Sequence, residues 1–353
     1  MTFDELLEKL TANALQVDAS NSWPFEQLEW LAEAGVMQWF VPNEYGGLDV
    51  SPRELTKGYQ ALSRACLTTC FALTQRNGAC QRIAGSKNEE LKQQLLPQLA
   101  TGQLFATVGI SHLTTSRQHI SQPAVQVEIE DANFVLNGMI PWVTGSSAAD
   151  FIVTGGTCED GKQALIAMPT NLPGITVQPK AELMALTVSE TSSVNLDNVK
   201  IPNHYLLAGP VENVMSQGSG GGAGSLTTST LALGLAERSL ALIQNEAAKR
   251  DGLAAITEAF QQDVSALQSD IYAALNVEKN GDEGLSPTAI RQKSNSLALR
   301  ITQAALTVTK GAGFSKGHPA ELAVREAMFF LVWSCPQIVV DGVLSELICR
   351  DGF

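Results

Sequence analysis

The sequence predicts a mainly α-helical protein with a central β domain, and three observations carry that prediction. Apolar residues recur at helical spacing from residue 1 to about residue 104. From about residue 105 the period falls to two, with Val125, Val127 and Ile129 alternating with Gln126, Glu128 and Glu130. Beyond about residue 210 the helical spacing returns in four long runs. The expected order is an N-terminal helical domain over 1–104, a middle β barrel or sandwich over 105–210, and a C-terminal four-helix bundle over 211–353.

In the first region, helical spacing covers 3–10, 25–31, 54–73 and 89–99. Pro42-Asn-Glu-Tyr-Gly-Gly-Leu48 interrupts it as a loop, its paired glycines permitting positive φ. In the middle region, Asp131-Ala-Asn133 turns the chain into Phe134-Val-Leu136. The runs 151–153 and 165–168 follow, split by a Glu159-Asp-Gly-Lys turn, and Val194 and Leu196 alternate toward Val199-Lys-Ile201. In the last region, Leu233, Ala236, Leu240, Ile243 and Ala247 share one helix face. The segments 254–276, 286–311 and 320–349 give three more helices. The tract Ser216–Ser225 reads as a flexible linker at a helix start or as a phosphate-cradling loop; no clear strand precedes it and no Lys-Ser/Thr follows.

Composition narrows the function. With 353 residues, 44% of them hydrophobic, the chain can bury a sizeable core. A formal charge of −13 argues against nucleic-acid binding, which needs basic patches. Any bound phosphate must then be held by a local cluster or by backbone amides. The opening Met1-Thr-Phe-Asp-Glu5 is acidic, with no apolar run behind it, and no stretch has the apolar length to cross a bilayer. The six cysteines lack Cys-x-x-Cys spacing and there are four histidines, so no metal site and a reducing cytoplasmic compartment are expected.

Chemistry concentrates at Ile140-Pro-Trp-Val-Thr-Gly-Ser-Ser-Ala-Ala-Asp150. If this stretch is a strand, Trp142 and Thr144 leave one face, giving an aromatic plate beside a hydroxyl. That pair suits a flat, nitrogen-rich cofactor; the competing reading is a core Trp and a turn Thr.

The segment resembles the Trp-x-Thr element of the acyl-CoA dehydrogenase flavoproteins, and further elements follow in order. Pro42-Asn-Glu-Tyr-Gly-Gly47 is similar to the Pro-x-x-Tyr-Gly-Gly loop of that family. Ser189, Thr191, Val194, Asp197, Val199 and Pro202 resemble its second-strand signature. Arg250 with Phe260-Gln261 matches its Arg and Gln spacing, and Gly311-Ala-Gly-Phe314 with Arg325-Glu-Ala327 its Gly-Gly-x-Gly-Tyr and Arg-Asp-Ala pair. The resemblance implies FAD, with Ser111, Trp142, Thr144, Arg250, Gln261, Gly311 and Gly313 as contacts, the Arg and Gln reaching the FAD of a neighbouring subunit in a homodimer or homotetramer. It also implies hydride transfer from an acyl-type substrate to flavin after a carboxylate removes the proton beside the thioester carbonyl.

That carboxylate is missing. Counting from Arg325, the family position falls on Ser334, and the alternative position on the first bundle helix falls on Gly224, with Ser225 where an Arg would follow. The Thr-Glu-Pro loop reads Ser111-His-Leu113, its following Gly-Ser-Asp reads Thr115-Ser-Arg117, and Lys310 replaces the first Gly of the Gly-Gly pair. Replacement groups each carry two readings. His112 is an acid/base group or a solvent-facing loop residue. Cys335 is a reactive or an inert thiol. Glu237 is a distant carboxylate or a solvated, salt-bridged one. Lys310 meets a phosphate or caps a helix. Three functions stay open: an oxidoreductase acting on an acyl-type or other small substrate with its base replaced, a flavin-dependent oxidase or monooxygenase, and a non-catalytic scaffold.

Overall fold

The computed structural model describes residues 1–114, 122–217, 226–275 and 285–348. Five helices open the chain: α1 (Phe3–Ser20), α2 (Phe25–Glu33), α3 (Pro52–Ala65), α4 (Leu67–Ala84) and α5 (Glu89–Thr101). Local chemistry sets their starts. Thr2 with Glu5 and Ser51 with Glu54 form reciprocal capping boxes, and Asn88 caps α5 through the amide of Leu91. The single helix expected over 54–73 is two helices, because Cys66 is extended at φ −154° and ψ 105°. No Gly or Pro marks that break. The buried side chains on both sides of it decide the bend, a tertiary effect invisible to periodicity.

The strands are β1 (Ala106–Gly109), β2 (Val125–Glu130), β3 (Asn133–Val143), β4 (Phe151–Thr157), β5 (Gln163–Pro169), β6 (Ile175–Val177), β7 (Ser192–Pro202) and β8 (Leu206–Val211), with the short helix α6 (Ser111–Thr114) after β1. They form one eight-stranded sheet ordered β6-β7-β3-β2-β4-β5-β8, with β1 pairing parallel to β4. Its apolar face buries Val125, Leu136, Ile140, Ile152, Ile166 and Val199 together. A second apolar cluster joins α4 and α5 to β1, β4 and β5 through Ile83, Leu95, Val108, Val153 and Leu165.

The C-terminal helices are α7 (Leu226–Ala247), α8 (Ala254–Ala274), α9 (Pro287–Gly313), α10 (Pro319–Phe329) and α11 (Gln337–Leu347). The helix expected over 320–349 is thus also divided. Pro336 disfavours helix at the residue before it, and Ser334 and Pro336 sit at φ 45° and −62°. Leu233, Leu240, Leu267, Ile290 and Ile301 form the bundle core. The largest apolar cluster runs from Leu6 and Leu31 through Leu67 and Leu186 to Leu235 and Phe330, so helices from both ends of the chain share one core beside the sheet. The phosphate-loop or linker reading of Ser216–Ser225 and the alternative base position Gly224 fall largely outside the described residues. Residues 218–225 are among those not described.

Candidate functional site

A cavity of about 900 Å³ opens where α4, α6, the end of β3, the 183–191 segment, α7 and the end of α10 meet. That volume lies near the top of the range for small-molecule sites, about 300–1,000 Å³. Trp142, Thr144, Ser111 and Ser334 all line it.

Trp142 and Thr144 converge by a different route from simple strand alternation. The β3–β7 register slips between Ile140 and Val143, and Trp142 takes φ 57°, in the left-handed region. The bulge swings the indole outward, leaving it 56% exposed at the cavity wall while Thr144, just past the strand, is 2% exposed. Thr144 is pinned from both sides. Thr107 of β1 donates to its carbonyl at 2.8 Å, and its hydroxyl lies 3.1 Å from the Thr191 hydroxyl. Gly145 follows at φ 65°, its amide donating to the Ser189 carbonyl at 2.8 Å. A Cβ there would come within 2.5 Å of the Trp23 ring, so the helical region presses on this loop through a glycine. Ser146 and Ser192 pair at 2.7 Å and Ser189 and Thr191 at 2.8 Å, completing a hydroxyl seam between residues 144–146 and 189–192. On the other side, Ser111 donates to the Pro141 carbonyl at 3.2 Å and fixes α6 beside the bulge.

The opposite wall is aromatic. Trp333 stacks on Phe329 with centroids 4.9 Å apart and planes at 16°, and Phe71 meets both edge-on at 5.1 and 4.8 Å. The turn carrying Trp333 and Ser334 is held from below by buried Arg291, which donates to the carbonyls of Phe330 at 3.1 Å and Trp333 at 3.0 Å. Burial draws that guanidinium down to about 10. Arg325 also borders the cavity but is neutralised, donating to Asp18 at 2.7 Å and Glu321 at 2.5 Å. These carboxylates hold it above the usual arginine range. Its neighbour Glu326 is buried against Arg238.

The other candidates named from the sequence lie elsewhere. His112 does not line the cavity and is not solvent-facing. It is buried, its Nε2 is 2.9 Å from the Gly155 carbonyl, and burial holds its pKa below the ordinary value. Glu237 accepts from Gln60 at 2.7 Å in a half-buried spot between α3 and α7, where burial raises its pKa. It is neither in the cavity nor paired with Arg238, which turns to Glu326. Cys335 is half-buried and burial pushes its thiol up, away from a reactive thiolate. Lys310 is not a helix cap in a regular turn: at φ 56° and ψ −148° it breaks the course of α9.

Arg250, Gln261, Gly311 and Gly313 gather at one end of the bundle, away from the cavity. Arg250 donates to Glu246 at 2.7 Å and also to the Val308 carbonyl, two residues before Lys310. Gln261 accepts from Gln244 at 3.1 Å. A Cβ on Gly311 would meet open space, whereas one on Gly313 would strike Thr309 at 1.9 Å. Three features of the cavity escaped sequence reasoning: the Thr191 hydroxyl beneath Thr144, the Phe71–Phe329–Trp333 group, and Arg82. Phe71, Thr74, Gln75, Gly78, Gln81 and Arg82 all line it from α4. Their i, i+3, i+4 spacing was the available signal, but it reads as a core face.

Comparison with known proteins bears on this arrangement. Residues 2–103 match the model of the acyl-CoA dehydrogenase N-terminal domain. A probable acyl-CoA dehydrogenase of Bacillus subtilis is 24% identical, the alignment covering 93% of this chain and 90% of that protein. The chain carries the N-terminal domain of the acyl-CoA dehydrogenases and is similar to them along nearly its whole length. Among solved structures, butyryl-CoA dehydrogenase from Megasphaera elsdenii superposes with a TM-score of 0.82 at 17% identity, covering 98% of each chain. The prolyl acyl carrier protein oxidase AnaB superposes at 0.80, also with 17% identity and 98% of each chain. At that identity the structures share the fold, along 98% of this chain in both cases. Where the counted base position falls, it presents Ser334 to the cavity.

Proposed function

We propose that the protein is an FAD-dependent oxidoreductase that oxidises a small, acyl-type substrate in this cavity without the carboxylate base of its relatives. The observation that carries the reading is the half-exposed Trp142 indole held at the cavity wall, with Thr144 and Ser111 beside it. An apolar ring left more than half uncovered beside hydroxyls is an incomplete surface that a flat, polar-edged ring would complete. Thr144 stands at the end of a chain of three hydroxyls, Thr144–Thr191–Ser189, so it keeps either its proton or its lone pairs for a heterocycle edge. The residues therefore fit the group. Bound there, a flavin supplies two-electron acceptance at a ring position.

The protein's part is to orient and to exclude water. The aromatic wall of Phe71, Phe329 and Trp333 desolvates the substrate and strengthens the electrostatics within. Among the described residues, no Asp, Glu, His, Lys or Cys lines the cavity. The flanking segments 115–121 and 218–225 contain no Asp or Glu. Among the described residues, then, no cavity-lining carboxylate stands ready for a proton beside a thioester carbonyl, which supports a second reading, an oxidase or monooxygenase in which the reduced cofactor meets oxygen. The separated cluster of Arg250, Gln261, Gly311 and Gly313 suits a second copy's cofactor, so we assign a homodimer or homotetramer. Phe314 at 80% exposure and Leu347 at 61% add uncovered apolar surface. Among the described residues no helix is long and apolar enough to cross a membrane.

The test is a titration of flavin fluorescence with purified protein, followed by dye reduction with butyryl- and octanoyl-CoA. We expect saturable FAD binding and little turnover of either straight-chain thioester. A flat titration sinks the flavin assignment, and ready dye reduction sinks the claim of a displaced base.

A further inference from the structure

Arg82 is the one cavity-lining charge that the described residues leave uncompensated. It stands on the cavity face of α4, one turn after Gly78 and four residues before Ser86. Its Nη1 donates to the Gly78 carbonyl at 2.8 Å, and among the described residues no other acceptor meets it. A guanidinium carries five N–H donors in a fixed fork, so four remain to be used. No carboxylate pairs with it among the described residues, in contrast to Arg325, which borders the same cavity and holds two. The undescribed segments that follow cavity-lining Thr114 and precede cavity-lining Thr227 in sequence, 115–121 and 218–225, contain no Asp or Glu. Burial alone acts on it, drawing it down to about 10.

Arg82 faces the cavity with Gly78 beside it. The Arg82 Nη1 packs at ordinary contact distance over Gly78, where a Cβ would stand 3.5 Å from it and 3.4 Å from Val108 Cγ1. Thr114 and Gln81 also line the cavity and add polar groups to a mainly apolar wall. A half-desolvated cation in such a wall costs free energy unless something pairs with it. Among the described residues no carboxylate serves as that partner, and an anionic ligand would.

We propose that Arg82 is a specificity-determining residue that receives an oxyanion of the substrate, a carboxylate or a phosphate, through a forked hydrogen-bond pair. The inference rests on the reading of this cavity as the substrate site and adds the substrate's charge: the natural substrate carries an anionic group distinct from the reacting carbon. The planar fork of arginine matches both oxyanions, whereas lysine offers a point charge without that geometry.

The test is isothermal calorimetry on the full chain with glutarate in one arm and inorganic phosphate in the other. Each arm is run on the wild type, on Arg82→Gln and on Arg82→Lys, with and without FAD. Binding of at least one anion to the wild type is expected, weakened at least tenfold in Arg82→Gln and by an intermediate factor in Arg82→Lys. The arm that binds more tightly identifies the source as a carboxylate or a phosphate. Thermal unfolding of the variants checks that they fold; Arg82→Lys keeps the charge and stem should Arg82→Gln not fold. Failure of both anions to bind the wild type, or equal affinity in the variants, overturns the inference. The FAD arms keep the two readings apart. Flavin binding with no Arg82-dependent anion affinity overturns this inference alone. Arg82-dependent anion binding beside a flat flavin titration overturns the flavin reading and leaves this one standing.

Discussion

The hydroxyls of Thr144 and Thr191 meet at 3.1 Å beneath the cavity wall, and Thr191 is itself paired with Ser189 at 2.8 Å. This makes Thr144 separable from the fold. In Thr144→Val, Thr191 keeps Ser189 as a partner, so no buried hydroxyl is orphaned and stability changes little. What is lost is a hydroxyl facing the proposed flavin edge. FAD affinity should fall about tenfold, equivalent to about 1.4 kcal/mol, with an unfolding midpoint close to wild type. Unchanged affinity in a fluorescence titration would place the flavin edge elsewhere.

Trp142 gives the complementary case, because its backbone and its ring pull in opposite directions. A bulky residue at φ 57° pays about 1–2 kcal/mol for its left-handed conformation. With the ring 56% exposed, little core packing offsets that cost. Trp142→Gly should therefore leave the apoprotein at least as stable as the wild type while weakening FAD binding tenfold or more. A large drop in melting temperature would mean that the indole serves the core, the competing reading of this residue.

Much of the architecture was legible because it is written in periodicity. The alternation of Val125, Val127 and Ile129 became β2, and the spacing of Leu233, Leu240 and Ile243 became the buried face of α7. The helix breaks at Cys66 and before Pro336 were not legible. One has no breaker residue, and the other has a proline that the apolar run around it disguised. At the site, the order of motifs brought Ser111, Trp142, Thr144 and Ser334 to one cavity. The geometry that unites Trp142 and Thr144 is a bulge, which depends on register against β7 and leaves no mark on the β3 sequence. His112 misleads for a related reason: a loop position says nothing of direction, and its ring turns inward to Gly155.

That inward turn has a consequence for pH dependence. Burial holds the folded-state pKa of His112 below its ordinary value of 6.5. The unfolded chain therefore binds a proton that the folded one resists. The stability that neutral His112 contributes is present above pH 6.5 and is lost as pH falls below it, until the folded-state pKa is passed. In His112→Asn, which can still donate to the Gly155 carbonyl, that portion of the acid loss should disappear. Denaturant unfolding at a series of pH values reads it directly: the wild type should lose ground to the variant only on the acid side. Parallel curves throughout would show that His112 is titrating as an open, solvated group.

Lys310 marks a second strained position, at φ 56° and ψ −148° within α9, a region that suits glycine. Lys310→Gly should relieve roughly 1 kcal/mol of backbone strain and raise the melting temperature by about 2–4 °C. The Arg250 donation to the Val308 carbonyl and the capping of the helix end lie outside the side chain removed, so nothing else is forfeited. A lower melting temperature would show that the ammonium makes a contact worth more than the strain.

Ser334 offers the reverse experiment, adding a group rather than removing one. It lines the cavity on a turn that Arg291 grips through the Trp333 carbonyl at 3.0 Å, so its backbone position is set by a buried cation and not by its own side chain. Its φ of 45° already tolerates a Cβ, and Ser334→Glu leaves the backbone path unchanged. The new carboxylate would enter a wall made of Phe329, Trp333 and Phe71, where desolvation raises a carboxyl toward the range useful in proton abstraction. Dye reduction with octanoyl-CoA should rise at least tenfold above the wild-type background, with the gain increasing across the rising limb of the Glu titration. FAD binding in Ser334→Glu without any gain would mean that the reacting carbon lies away from this turn, and that the missing carboxylate alone does not account for low activity on straight-chain thioesters.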